Sequence, residues 1–124
     1  MRVDIWSDVA CPWCYVGKRR FEAALARFPH RDGVEVHWHS FELDPRAPRE
    51  RQGDRLDHIA AKYRVTRSDA EAMESRVRAA GAEVGLDFHL DRVRGGNTFD
   101  AHRLLHLAAG HGLADAVKDR FLRA

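Results

Sequence analysis

The chain has 124 residues, 44% hydrophobic and 32% charged, with 21 Lys+Arg against 19 Asp+Glu and a formal net charge of +2. That composition suits one folded domain and excludes a disordered or fibrous chain. No apolar run approaches the roughly 20 residues of a membrane span. Asp4 and Asp8 break up the N-terminus too early for a signal peptide, and the basic residues are interleaved with acids instead of gathered for nucleic acid. A cytoplasmic domain is the expectation, with neither membrane nor nucleic acid as a partner.

Residues 2–7 are rich in β-formers, with Val3 and Ile5 on one face and Asp4 and Trp6 on the other. Cys11-Pro12-Trp13-Cys14 follows at once. From there to about Phe28, Val16, Phe21, Ala24, Leu25 and Phe28 recur with helical spacing, while Lys18, Arg19, Arg20 and Glu22 fill the outer face. Pro29 and Gly33 stop that helix. Val34, Val36 and Trp38 then alternate with Glu35, His37 and His39, the period-two pattern of a second strand. A helix of this length between two strands predicts a βαβ unit with parallel strands.

Phe41 to Gly53 reads as a loop, punctuated by Pro45 and Pro48. Beyond Asp54 the chain turns helical. Leu56, Ile59, Ala60 and Tyr63 mark a short helix, and Thr66 to Asp69 opens a second one with a stripe of Ala70, Met73, Val77, Ala80 and Val84. Gly85 stands where a C-cap belongs. After Gly95-Gly96, Asn97 or Thr98 caps a third helix running to about Ala109, and Leu113, Val117 and Phe121 outline a fourth.

Two cysteines separated by two residues suit either a redox dithiol or half of a zinc site. Here the pair follows a strand and opens a helix, with Pro12 at the first helical position, where its missing N–H is not needed. Cys11 therefore sits at the helix N-terminus, where free amides and the dipole favour thiolate and lower a Cys pKa from about 8.5 into a range of roughly 3.5–7.5. Cys14, one turn inside, is placed to close a disulfide on it. Cys11 is thus the candidate nucleophile and Cys14 the candidate resolving thiol. Zinc would need two further ligands, and His37 and His39 are spaced by one residue where paired ligand histidines usually lie three to five apart. No metal is expected. A purely structural disulfide is disfavoured by the small loop it would close.

The run Trp6-Ser-Asp-Val-Ala-Cys-Pro-Trp-Cys-Tyr-Val-Gly-Lys-Arg-Arg-Phe21 resembles the active-site segment of the DsbA-like thioredoxin-fold family, and within it the cytoplasmic FrnE-type branch. Asn97-Thr-Phe-Asp-Ala-His-Arg-Leu104 is similar to that branch's insertion motif, as is Phe41-Glu-Leu-Asp-Pro45 to the stretch after its second strand. The resemblance implies an α/β fold: a thioredoxin-like βαβ unit over residues 1–44 carrying the CxxC site, then a loop and helical insertion over 45–124. The family's C-terminal β-hairpin and last helix, with the cis-proline before the hairpin, have no counterpart here, since all four prolines (Pro12, Pro29, Pro45 and Pro48) precede the insertion. A truncated chain is the expectation, self-associating as a homo-oligomer or by segment swap to cover its open sheet edge.

The resemblance also implies protein dithiol–disulfide exchange, with Cys11 and Cys14 as the catalytic pair and no cofactor beyond their own redox-active disulfide. Protein or peptide thiols and disulfides are the implied partners, with low-molecular-weight thiols as further reactants. Trp13, Asn97 and His102 are candidates to contact substrate, although Asn97 capping a helix and His102 packing in the core is the simpler account of those two. Family members often carry a buried acid on the first strand. Asp4 matches that place, is expected buried with a raised pKa, and would take the proton of Cys14; Asp8 is the nearer competitor. Two other classes remain open: a glutathione-dependent isomerase or transferase of the 2-hydroxychromene-2-carboxylate isomerase and kappa-class type, and a non-catalytic chaperone-like or metal-binding module.

Overall fold

A computed structural model describes residues 1–124. In chain order the elements are β1 (Arg2–Ser7), α1 (Pro12–Ala26), β2 (Glu35–Ser40), α2 (Arg55–Tyr63), α3 (Arg67–Ala82), α4 (Phe99–Ala109) and α5 (Ala114–Arg123), with short 3-10 turns at Arg31–Gly33 and Leu90–Arg92. The chain forms two compact units, Met1–Arg46 together with Asn97–Ala124, and Ala47–Gly96. Residues 97–124 thus group with the N-terminal part of the chain. Long-range polar pairs account for this. Arg19 on α1 meets Asp119 on α5 at 2.6 Å, and Ser40 at the end of β2 meets His106 on α4 at 3.1 Å.

β1 and β2 pair in parallel as the mixed α/β pattern predicts, with Val3 opposite Val36, Ile5 opposite Trp38 and Trp6 opposite His39. The period of two then puts Val3, Ile5, Val36 and Trp38 on one face. α1 covers that face, where Phe21 meets Trp38 edge-on at 6.4 Å. The opposite face carries Asp4, Trp6, His37 and His39, with Trp6 and His39 stacked at 4.6 Å. These are the only two strands of the sheet.

The outer face assigned to α1 needs one correction. Lys18 is among its most buried residues, together with Tyr15 and Val16. Its ammonium lies 5.8 Å from the Trp38 ring centroid and pairs with Glu22 on its own helix and with Asp115 of α5 at 3.0 Å. A lysine stem is long enough to run along apolar surface to reach such partners.

The 47–96 unit is built on α2 and α3. The Asp54 carboxylate accepts the amides of Leu56 and Asp57 at 2.8 and 3.1 Å, capping α2. Thr66 and Asp69 form a reciprocal capping box at the start of α3. The buried stripe of α3 runs through Ala70, Glu74, Val77 and Ala80, with Glu74 replacing the expected Met73 because Arg55 meets its carboxylate at 2.6 Å. Gly85 adopts the positive φ of 78° expected beyond the helix end. No helix in the chain is long and apolar enough to cross a membrane.

Candidate active site

The loop from β1 to α1 delivers Cys11 to the N-cap of α1 in an extended conformation (φ −102°, ψ 115°), with Pro12 beginning the helix. The backbone amides of Trp13 and Cys14 face its sulfur. Both cysteines are free thiols of intermediate exposure. The Cys14 thiol beside Cys11, helped by those amides, draws the Cys11 pKa down to about 6 against the opposing effects of burial and of the Asp8 charge. Cys14 moves the other way: sharing its proton with Cys11 and being buried both push its thiol well above the usual range. One sulfur is ready to ionise near neutrality while its neighbour keeps its proton.

Asp8 occupies the same loop and is 3% exposed. Its carboxylate accepts the Val9 amide at 2.8 Å through Oδ1 and the Leu43 amide at 2.8 Å through Oδ2. His102 Nε2 on α4 lies 3.1 Å from Oδ1. Burial alone would raise the Asp8 pKa, but the donors from Leu43, Thr98, Val9 and His102 outweigh it and hold the group below the usual carboxylate value. His102, 4% exposed, is thus brought to the redox loop, and its Nδ1 is buried without a partner. Asn97 is placed differently. Its side-chain oxygen accepts the Phe99 amide at 2.9 Å and its side-chain nitrogen donates to the Pro45 carbonyl at 3.3 Å, so it caps α4 and ties down the segment after β2. Trp13, half exposed, stands next to the two sulfurs in sequence and open to solvent.

Asp4 does not meet its expectation. Its side chain is 26% exposed and is held by Arg2 at 2.8 Å and His39 at 2.6 Å. Hydrogen bonds from Arg2 and then His39 lower its pKa to about 2, where a raised value was expected. The physical reason is strand periodicity: Val3 and Ile5 take the face covered by α1, which leaves Asp4 on the other. Of the candidate zinc ligands, His39 is engaged with Asp4 and His37 lies 2.8 Å from Glu35.

Two buried lysines at this end of the molecule escaped the sequence reading. Besides Lys18, Lys118 of α5 is 2% exposed, its ammonium 5.1 Å from the centroid of the Trp38 ring that Lys18 also approaches. Burial lowers its pKa, and Cys14 and Asp8 act on it in the opposite sense. The stripe expected on Leu113, Val117 and Phe121 is not the buried one: Leu113 is exposed and Lys118 takes the innermost position. The only signal available was spacing, since Lys118 stands one residue after Val117 and three before Phe121.

The family described as DSBA-like thioredoxin domain matches residues 2–124. The crystal structure of a probable DsbA oxidoreductase from Streptomyces coelicolor is 52% identical and superposes with a TM-score of 0.92, covering 99% of this chain and 53% of that one. The uncharacterized protein YwbO of Bacillus subtilis (strain 168) is 42% identical over 45 residues, 36% of this chain and 20% of YwbO. The chain therefore spans about half the length of the solved relative.

Proposed function

Because the chain belongs to the family of DSBA-like thioredoxin domains, we propose that it performs thiol–disulfide exchange on protein or peptide substrates through Cys11 and Cys14. The observation that carries this reading is the placement of Cys11 at the N-cap of α1, with the Trp13 and Cys14 amides on its sulfur and the Cys14 thiol beside it, an arrangement that lowers the pKa of Cys11 and raises that of Cys14. In the oxidising direction a substrate thiolate attacks Cys11 Sγ of the Cys11–Cys14 disulfide. A mixed disulfide forms and the Cys14 sulfur leaves, taking a proton. A second substrate thiolate then attacks the mixed disulfide on the substrate side. The substrate gains a disulfide and Cys11 leaves as thiolate, so two electrons pass from substrate to the pair. A leaving thiol of low pKa departs faster, which suits Cys11 to that second step. In the reverse direction the Cys11 thiolate attacks a substrate disulfide, and Cys14 resolves the mixed species after losing its proton.

Trp13 offers an exposed aromatic surface beside Cys11 for an apolar segment of an unfolded chain. Asn97 supports the site through the α4 cap. Reduction of insulin and refolding of scrambled ribonuclease, measured for wild type and Cys11→Ser with zinc content read in parallel, test the proposal. Loss of both activities in Cys11→Ser, and a trapped mixed disulfide in Cys14→Ser, are expected. Activity that survives Cys11→Ser would overturn it.

A further inference from the structure

Asp8 is a buried carboxylate in the loop that carries the nucleophile, yet no arginine meets it. Its hydrogen-bond partners are neutral amides, the Thr98 hydroxyl and one imidazole nitrogen. His102 Nε2 faces Asp8, while His102 Nδ1 is buried with no partner. A carboxylate accepts only, so Nε2 carries the proton. The unpartnered Nδ1 then fits the neutral tautomer, because a second proton there would be a buried N–H with nothing to receive it. The result is a full negative charge kept in place by neutral donors. It is anchored at three points that do not share an element: its own loop, the segment after β2 and α4. Within electrostatic reach of it are Cys11 at the N-cap of α1, Cys14 on α1, whose sulfur accepts the Asp8 backbone amide, and the Lys118 ammonium on α5. From the segment after β2 only the Leu43 amide reaches it.

We propose that Asp8, held in place by His102, is the positioning charge that sets the acidity and redox equilibrium of the Cys11–Cys14 pair. The inference rests on the reading of that pair as the redox site. The Asp8 carboxylate opposes a negative charge on either sulfur, while its own backbone amide favours thiolate at Cys14, so the side chain keeps the dithiol less acidic than the surrounding amides alone would make it. It thereby favours the disulfide over the dithiol. Lys118 acts in the opposite sense and favours thiolate at Cys14. This assigns to Asp8 the role that strand position had suggested for Asp4, with the opposite physical basis: a fixed charge and not a buried acid that exchanges a proton. His102 acts through Asp8 by fixing its rotamer.

The relevant equilibrium balances as protein disulfide plus two glutathione thiols giving protein dithiol plus one glutathione disulfide. Above the Cys11 pKa one proton of the dithiol passes to solvent. Replacing Asp8 by Asn keeps the shape and removes the charge; its one carbonyl oxygen can still accept from Val9 and His102, and the Leu43 amide loses its acceptor. The pH midpoint of Cys11 alkylation by iodoacetamide is then expected to fall by roughly half a unit or more. The reduced fraction in glutathione buffer at pH 7 rises by about threefold in equilibrium constant for a half-unit fall. His102→Gln, which can still present an N–H to Asp8, stays near wild type in both measurements, whereas His102→Leu departs from it. In wild type, nitrogen shifts of the His102 imidazole report an Nε2–H tautomer and move when the dithiol is oxidised, a readout that needs no variant to fold.

Unchanged alkylation midpoints in folded Asp8→Asn and His102→Leu, or His102 shifts that ignore the redox state, would overturn the assignment. Failure of wild type to equilibrate with glutathione would instead overturn the redox reading itself. The alkylation midpoint reads the Asp8 charge in either case.

Discussion

His39 reaches across the parallel ladder to Asp4, its Nε2 2.6 Å from Oδ1, while Arg2 grips the same carboxylate at 2.8 Å. Asp4 is thus a carboxylate stabilised in its charged form on the open face of the sheet, with its pKa lowered from 3.8 to about 2. A depressed acid contributes stability that is complete above its unfolded value and lost as pH falls through its folded value. The window therefore runs from about 4 down to about 2. Wild type is expected to lose unfolding midpoint across that interval, and Asp4→Asn to lose less, in thermal scans at fixed ionic strength. The Cys11 alkylation midpoint of Asp4→Asn is expected to match wild type, since nothing joins Asp4 to the thiols. A shifted midpoint would restore Asp4 to the site.

The contrast between Asp4 and Asp8 shows what the sequence could disclose. Alternation in β1 and β2, the Pro12 start of α1 and the Thr66–Asp69 capping box are local signals, so the elements and the parallel pair were legible from them. Cys11 at a helix N-terminus was legible for the same reason, because strand, motif and helix are contiguous. The partners of Asp8 were not. Leu43 lies 35 residues away and His102 lies 94 away, and only packing of α4 against the redox loop brings them there. Lys18 and Lys118 were missed because their hydropathy argues for the surface, and the carboxylates and the Trp38 ring that permit burial of Lys18 come from three different elements.

The thiol pair makes a prediction of its own for the reduced protein. Cys11 falls from 9.0 unfolded to about 6 folded, so its contribution to stability is present above about 9 and is lost as pH falls through about 6. Between those values the unfolding midpoint of the reduced protein is expected to rise with pH, and the rise to be absent in Cys11→Ser. Above about 9 the sign reverses, because Cys14 then ionises in the unfolded chain and is held protonated in the folded one. Mass spectrometry after iodoacetamide treatment at pH 7 should find Cys11 modified and Cys14 intact. Equal labelling of the two would remove the asymmetry on which the exchange reading stands.

Lys18 joins α1 to α5. It is 1% exposed, whereas its partners Glu22, Asp115 and Asp119 keep 37%, 68% and 21% of their side chains accessible. Replacing it by Met leaves carboxylates that can return to water, so the loss is smaller than the roughly 3–5 kcal/mol seen when a pair buried on both sides is broken. A destabilisation of about 1–2 kcal/mol by urea unfolding is expected. Removing Asp115 and Asp119 together is expected to be worse than Lys18→Met, because it leaves the buried ammonium, beside Lys118 and the Trp38 ring, with Glu22 as its one remaining carboxylate. If the double carboxylate variant proved the milder of the two, the burial of Lys18 would not depend on the anions of α5.

Gly96 tests the 47–96 unit separately from the redox site. A Cβ at this position would come within 2.3 Å of the Arg49 carbonyl oxygen and 3.1 Å of its carbon, so the obstacle is backbone and not the end of a flexible side chain. The two segments cannot part freely, since the Arg51 amide donates to the Gly95 carbonyl at 2.8 Å. Gly96→Ala must therefore break that contact or shift the 49–51 segment, with an expected loss of about 2–3 kcal/mol. Gly33→Ala is the control, because nothing lies within 4 Å of the added carbon and φ there is not positive. It is expected to unfold at the wild-type urea concentration. Equal stability of the two variants would show that the 49–51 segment yields without cost, and that Gly96 is not required for closure of the loop over it.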